Sequence, residues 1–201
     1  MSYDPTQVRE FFGARAADWD SRFPDDSPAY AAAVGELGLR PGDAVLDAGC
    51  GTGRALPPLR AAVGPSGTVL GADLTPEMLE RAVAAGRDGE EGGTLLLADV
   101  GRLPVRDGAL DAVFGAGLIS HLADPASDLR ELARVVRPGG RLALFHPIGR
   151  AALAARHGRQ ITPDDLRAEP RLRPLLAEAG WRLVDYVDED ARYLALAVRE
   201  A

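Results

Sequence analysis

The sequence contains no lysine: all 23 of its basic residues are arginine. Without an ε-amine the chain can form no Schiff base with a carbonyl substrate and cannot supply the lysine of a phosphate-binding P-loop. Cysteine is nearly as scarce, Cys50 being the only one, which excludes an intrachain disulfide and a cysteine-based metal cluster and agrees with a reducing compartment. No apolar run approaches the ~18 residues of a membrane-spanning helix. The start, M-S-Y-D-P-T-Q-V-R-E, has neither the basic opening nor the apolar stretch of a signal peptide, so the expected location is the cytoplasm, with no membrane partner. No compact spacing of histidine and carboxylate residues points to a metal, and none is expected. A net charge of -7 and a pI near 5.0 leave no basic excess for general nucleic-acid binding.

What is present describes one soluble α/β domain. The 201 residues, 46% hydrophobic and 26% charged, suffice for a full core and leave little for a second module. Helix patterns are expected over Pro5 to Trp19 and Ala29 to Leu37, separated by a turn-rich break from Phe23 to Pro28. From Ala44 onward, strand and helix patterns alternate. Helices at Ala55 to Val63, Thr75 to Val83 and Pro125 to Val136 follow strands that begin at Ala44, Thr68 and Leu110, with a third strand at Thr94 to Ala98 and a fifth at Arg141 to His146 after an R-P-G-G turn. Such alternation means a parallel sheet with helices on both faces, a three-layer sandwich. A last helix over Leu166 to Ala179 precedes two strands, Trp181 to Val187 and Arg192 to Val198, joined through Asp188-Glu189-Asp190. A connection that short joins antiparallel neighbours, so the sheet should end in a hairpin. Residues 1–40 form a helical cap and 41–201 the core of a single domain.

The organising stretch is Ala44 to Leu56, A-V-L-D-A-G-C-G-T-G-R-A-L. A buried strand ending in Asp47 leads into glycines 49, 51 and 53, which allow a sharp turn and close approach of a ligand to the backbone, and then into a helix start with unpaired N–H groups. A dinucleotide fingerprint would place its third glycine where Arg54 stands. In an open parallel sheet ligands bind beyond the carboxyl ends of the strands, where strand order reverses. Those ends carry Asp47, Asp73, Asp99, the Gly115-Ala116-Gly117 stretch and His146. Asp73 is suited to accept both hydroxyls of a ribose, or else to face a helix N-terminus. Asp99 can accept the exocyclic amine of an adenine with Val100 packed on the ring, or serve as an ordinary turn aspartate.

V-L-D-A-G-C-G-T-G, G-A-D-L-T-P-E-M-L, A-D-V-G-R-L-P-V-R-D-G-A-L-D-A-V-F, S-H-L-A-D-P and V-V-R-P-G-G-R-L-A-L, in this order and spacing, resemble the successive motifs of the small-molecule class I S-adenosylmethionine-dependent methyltransferases, of the methyltransferase domain 11/25 type. The resemblance implies a Rossmann-like, seven-stranded, mostly parallel sheet and methyl transfer from S-adenosyl-L-methionine to O, N or C of a small-molecule acceptor. It also implies that Asp47, Gly49, Cys50, Gly51 and Gly53 cradle the methionine part and that Asp73 takes the ribose. Asp99 and Val100 would hold adenine, Leu74 and Met78 would line its pocket, and Gly115 and Ala116 would border the donor. Met78 fits a core position equally well. Trp19 stands where an aromatic of the leading helix often touches the donor, and Arg15 within reach of the donor's carboxylate; Phe11, Phe12 and Trp19 also have the spacing of a helix face packed on the core.

Methyl transfer needs alignment, exclusion of water and, for a neutral hydroxyl or amine, removal of a proton. His146, at the end of the fifth strand, and His121, in the S-H-L segment, are the candidate catalytic residues, because imidazole titrates near working pH. Arg150, Arg156, His157 and Arg159 hint at an anionic acceptor or form a solvated loop. Two other readings remain open on sequence: a module that keeps the donor pocket without acceptor chemistry, and a nicotinamide-dependent oxidoreductase, which Arg54 and Asp99 disfavour.

Overall fold

Apolar side chains stand side by side in the strand patterns at Ala44 to Ala48 and Leu110 to Ala116, so both faces of these strands must be covered. The computed structural model of the protein, which describes residues 4–22 and 26–201, meets that requirement with a seven-stranded sheet between two helical layers. Residues 1–3 of the expected helical cap and residues 23–25, expected in the break before the second helix, lie outside the described residues. The strands are β1 (Ala44–Ala48), β2 (Thr68–Asp73), β3 (Thr94–Leu97), β4 (Leu110–Ala116), β5 (Val136–His146), β6 (Trp181–Glu189) and β7 (Arg192–Arg199). The helices are α1 (Pro5–Gly13), α2 (Trp19–Arg22), α3 (Ser27–Leu37), α4 (Leu56–Val63), α5 (Pro76–Ala84), α6 (Pro125–Val135), α7 (Arg150–Arg156) and α8 (Glu169–Glu178). Strand order is β3-β2-β1-β4-β5-β7-β6. The pairs from β3 to β5 are parallel, and β7 is antiparallel to both of its neighbours.

The period of two along each strand divides the core. Leu46, Val113, Leu142 and Leu144 join one cluster, under Leu129 and Leu132 of α6 and Trp181. Val45, Phe114, Ala143 and Phe145 join the other, under α3 and α4. Trp181 is fully buried, and its indole N–H donates to the Leu129 carbonyl at 2.9 Å, which ties the hairpin to the α6 layer. Chain order reverses between β2-β1 and β1-β4, so the carboxyl ends of β1 and β4 flank the crevice where an open α/β sheet takes its ligand.

Five expectations need correction. The single helix over Pro5 to Trp19 is broken into α1, a 3₁₀ turn at Ala16–Asp18 and α2, because Gly13 brings the backbone against α5: a Cβ there would stand 3.1 Å from Glu77 Oε2. Phe11, expected on the core, is 47% exposed. The fifth strand starts at Val136 rather than Arg141, since Val136 already pairs with Leu110 and the R-P-G-G segment is absorbed as an irregularity before Arg141 pairs with Ala112. The segment of Arg150, Arg156, His157 and Arg159, open to reading as a solvated loop, contains α7, and α8 begins at Glu169 rather than Leu166, with Pro170 in its first turn where no N–H is missed.

Candidate active site

β1 delivers Asp47 into the interior, where it is 2% exposed. The chain then turns through Gly49 at φ +66° and Gly51 at φ +53°, values that a Cβ makes costly. The Cys50 N–H donates to the Ala72 carbonyl of β2 at 3.0 Å. Asp73 fixes the rest: its Oδ2 accepts the Gly51 N–H and its Oδ1 the Thr75 N–H, each at 2.8 Å. One carboxylate therefore holds both the glycine turn and the β2-to-α5 turn. Asp47 has no such support, and its Oδ1 is buried without a hydrogen-bond partner. Burial first, and then the charge of Asp73, push the Asp47 carboxyl well above the usual carboxylate range. Burial raises Asp73 as well, against the pull of the Thr75 and Gly51 N–H groups. Burial, followed by Asp47 and Asp73, raises the Cys50 thiol, which leaves it a small turn residue and not a nucleophile.

Met78 is 1% exposed, with its sulfur 4.0 Å from where a Cβ on Gly51 would stand, so it packs against the turn; Leu74 beside it is half-buried. Asp99 is exposed just past β3, its Oδ1 accepting the Gly101 N–H at 2.9 Å, and Val100 packs partly buried on the core. At the end of β4, Gly115 and Ala116 lead into a 3₁₀ turn, Leu118–His121. Leu118 lies between the two strand ends, 3.1 Å from a Cβ placed on Gly49 and 2.8 Å from one placed on Gly115. Lack of a side chain at both positions makes room for it.

The N-terminal segment is fastened over this turn by contacts that the sequence pattern did not reveal. Asp20 accepts from the Thr52 hydroxyl at 2.6 Å, from Arg87 Nη1 at 2.7 Å and from Arg54 Nε at 3.3 Å. Burial pushes the Asp20 carboxyl up, but the Thr52 hydroxyl and the Arg87 guanidinium outweigh it and hold Asp20 below its usual range. Arg54 also donates to Asp26 at 3.0 Å. The residue that breaks the dinucleotide fingerprint is thus an anchor for the cover. Trp19 and Phe12 meet edge to face with ring centres 5.3 Å apart, and Phe12 meets the His121 ring at 5.0 Å. Arg15 lies over the Phe11 ring and donates to the Phe11 carbonyl at 2.9 Å.

Beyond β4 and β5 lies a small cavity, with about 10 Å³ of space, lined by Gly117, Leu118, Ser120, His146, Arg167 and Tyr193 among others. Its wall at Leu118 is shared with the glycine turn. His146 Nδ1 lies 2.8 Å from the Ile148 carbonyl and 3.1 Å from the Ile148 N–H; in the tautomer that donates Nδ1–H to the carbonyl, Nε2 keeps its lone pair. His121 and His146 are brought to the same region, whereas His157 and the exposed Arg156 and Arg159 are not, and Arg150 is bound to Asp188 at 2.8 Å. Arg167 and Tyr193 carried no sequence signal. Tyr193 enters because β7 pairs with β5 in the register that sets it opposite His146.

Burial, and next the charge of Arg167, lower the basicity of His121 from the usual 6.5. Burial does the same for His146, opposed by its bond to Ile148 and reinforced by Arg167. Imidazoles kept neutral in the fold take up protons on unfolding, so their contribution is present above pH 6.5 and lost as pH falls below it toward the lowered folded values. Urea unfolding from about pH 7.5 to about pH 5.5 should show stability falling, with a slope of at most ~1.4 kcal/mol per pH unit for each histidine. A His121→Gln/His146→Gln double variant should show a shallower slope. Asp47 and Asp73, whose raised carboxyls act in the opposite sense, are common to both proteins.

The methyltransferase domain family model matches residues 46–144. A ubiquinone/menaquinone biosynthesis C-methyltransferase from Ectopseudomonas mendocina is 32% identical, with 79% of this chain and 73% of that protein covered. A 27-O-demethylrifamycin SV methyltransferase from Amycolatopsis mediterranei is 38% identical, with 55% of this chain and 41% of that enzyme covered. The chain spans between 32% and 58% of the length of five further curated relatives. The crystal structure of a SAM-dependent methyltransferase from Aquifex aeolicus has a TM-score of 0.72 at 25% identity, with 98% of this chain and 99% of that chain covered. Motifs, sheet order and relatives agree, and the chain belongs to the class I S-adenosylmethionine-dependent methyltransferases.

Proposed function

We propose that the protein transfers a methyl group from S-adenosylmethionine to an oxygen, nitrogen or carbon atom of a small-molecule acceptor. The observation that carries this reading is the buried Asp47, whose Oδ1 lacks a partner beside a turn of glycines in the left-handed region. A cationic amine is the partner such a carboxylate lacks. Asp47, Gly49, Cys50, Gly51 and Gly53 would surround the methionine part. Asp73 uses one lone pair of each oxygen on backbone N–H groups and has others left for ribose hydroxyls. Leu74 and Met78, with Asp99 and Val100, would form the adenine side, and Gly115, Ala116, Trp19 and Arg15 the remaining border.

S-adenosylmethionine supplies an electrophilic methyl on a sulfonium that leaves as a neutral thioether. The chain's own part is to orient the acceptor, keep water out and move one proton. His146 Nε2 takes the proton of a hydroxyl or amine acceptor, and His121, packed on Phe12, closes the same side. The rifamycin and quinone names of the relatives support a small acceptor, as does the connection from β5 to β6, which holds only α7 and α8. Calorimetry with S-adenosylhomocysteine and with NAD, followed by incubation of the protein with methyl-labelled donor and a metabolite extract, tests the reading. Binding of S-adenosylhomocysteine alone and label in a small molecule are the expected results. Donor binding with no transfer would favour a binding module, and binding of NAD alone would overturn the donor assignment.

A further inference from the structure

The acceptor end holds a cation that no motif marks. Arg167 lies just before α8 and lines the cavity together with His146 and Tyr193. Its Nε and Nη2 donate to the two oxygens of Asp165 at 3.1 and 3.0 Å. Asp165 is steadied by Arg150 Nη1 at 3.6 Å, and Arg150 by Asp188, which accepts its Nε at 2.8 Å and its backbone N–H at 2.9 Å. The Tyr186 hydroxyl donates to the Arg167 carbonyl at 2.8 Å. This chain of contacts fixes one edge of the guanidinium, while Nη1 makes no hydrogen bond among the described residues. The charge of Arg167 bears on His121, His146 and Tyr193 alike.

Tyr193 supplies the second donor. It is 1% exposed, and its hydroxyl is buried without a hydrogen-bond partner. Burial keeps that hydroxyl protonated far above neutrality, so it can donate. No aspartate or glutamate is among the residues that line the cavity. A free guanidinium edge and an unpartnered phenol together lack one thing, an acceptor oxygen bearing negative charge.

We propose that this water-sized cavity receives a single anionic oxygen of the methyl acceptor, from a carboxylate or a phenolate, through hydrogen bonds from Arg167 and Tyr193. The proposal rests on the methyl-transfer reading and narrows its acceptor class. Asp165 and Arg150 are positioning residues for Arg167.

The test uses the full chain saturated with S-adenosylhomocysteine and two probes: benzoate for a carboxylate, and para-nitrophenolate, whose absorbance reports its own ionisation, for a phenolate. At least one probe should bind saturably, and which one does so identifies the kind of anion. Arg167→Met should weaken that probe by about ten- to hundredfold, the worth of a charge-assisted hydrogen bond. Arg167→Lys should restore part of the loss, and Tyr193→Phe should weaken binding about fivefold. If nitrophenolate is the ligand, its ionised form should persist in the complex at a pH where the free probe is protonated, and that preference should disappear in Arg167→Met. S-adenosylhomocysteine affinity should be unchanged in all three variants. If Arg167→Met does not fold, the other two carry the test. Saturation by neither probe, or unchanged probe binding in the folded variants, overturns the proposal. Failure of the wild type to bind S-adenosylhomocysteine overturns the methyl-transfer reading itself.

Discussion

Asp73→Ala is expected to lower S-adenosylhomocysteine affinity by at least about a hundredfold. The side chain accepts the N–H groups of Gly51 and Thr75, both at 2.8 Å, and is 9% exposed. Its removal leaves two donors without their acceptor, frees the glycine turn from β2 and deletes the proposed ribose contact. Two interactions with a charged partner, each worth about 1.5–3 kcal/mol, make the hundredfold figure a lower estimate. The same loss should destabilise the unliganded protein by about 2 to 4 kcal/mol. Calorimetry measures the first effect and urea unfolding the second. Asp73→Asn, which retains one acceptor oxygen, should fall between. Wild-type affinity in Asp73→Ala would show that the turn holds itself and that the ribose is bound elsewhere.

His146→Gln is expected to reduce kcat by about 10²- to 10⁴-fold, the usual contribution of a positioned general base, for an acceptor that must lose a proton. Donor affinity should be unchanged, because His146 ends β5 while the glycine turn follows β1. The wild-type profile should already be level at neutral pH. Burial and Arg167 depress the His146 imidazole, so the basic form prevails at pH 7 and kcat should decline only on acidification below the usual imidazole range. Wild-type kcat in the variant would make His146 a strand-end residue whose only task is its bond to Ile148.

The glycine turn and the strand-end acids of the proposed donor site were readable in the chain because they are local features. Gly49 and Gly51 are written into a turn whose φ values favour glycine, and Asp73 and Asp99 follow runs of apolar residues that can only be strands. The alternation of strand and helix likewise implied the parallel sheet, and the short link after β6 implied its antiparallel end. The break at Gly13 depends on how closely α1 approaches α5, and the early start of β5 on a pairing of Val136 with Leu110. Neither is a property of the segment in isolation.

The acceptor end is a product of assembly. Arg167 and Tyr193 are 26 positions apart on either side of α8 and β6, and His146 lies further back still. Only the β5-β7 register sets Tyr193 against His146, and only the pairing of Asp165 with Arg150 and Arg167 turns a guanidinium toward them. The sequence by itself determined the class of fold and the glycine turn after β1, since local backbone geometry and hydrophobic period follow from neighbouring residues. Which cation, phenol and imidazole share the cavity beside that turn was decided by the tertiary structure, because contacts between distant segments depend on strand register and helix packing that no local pattern encodes.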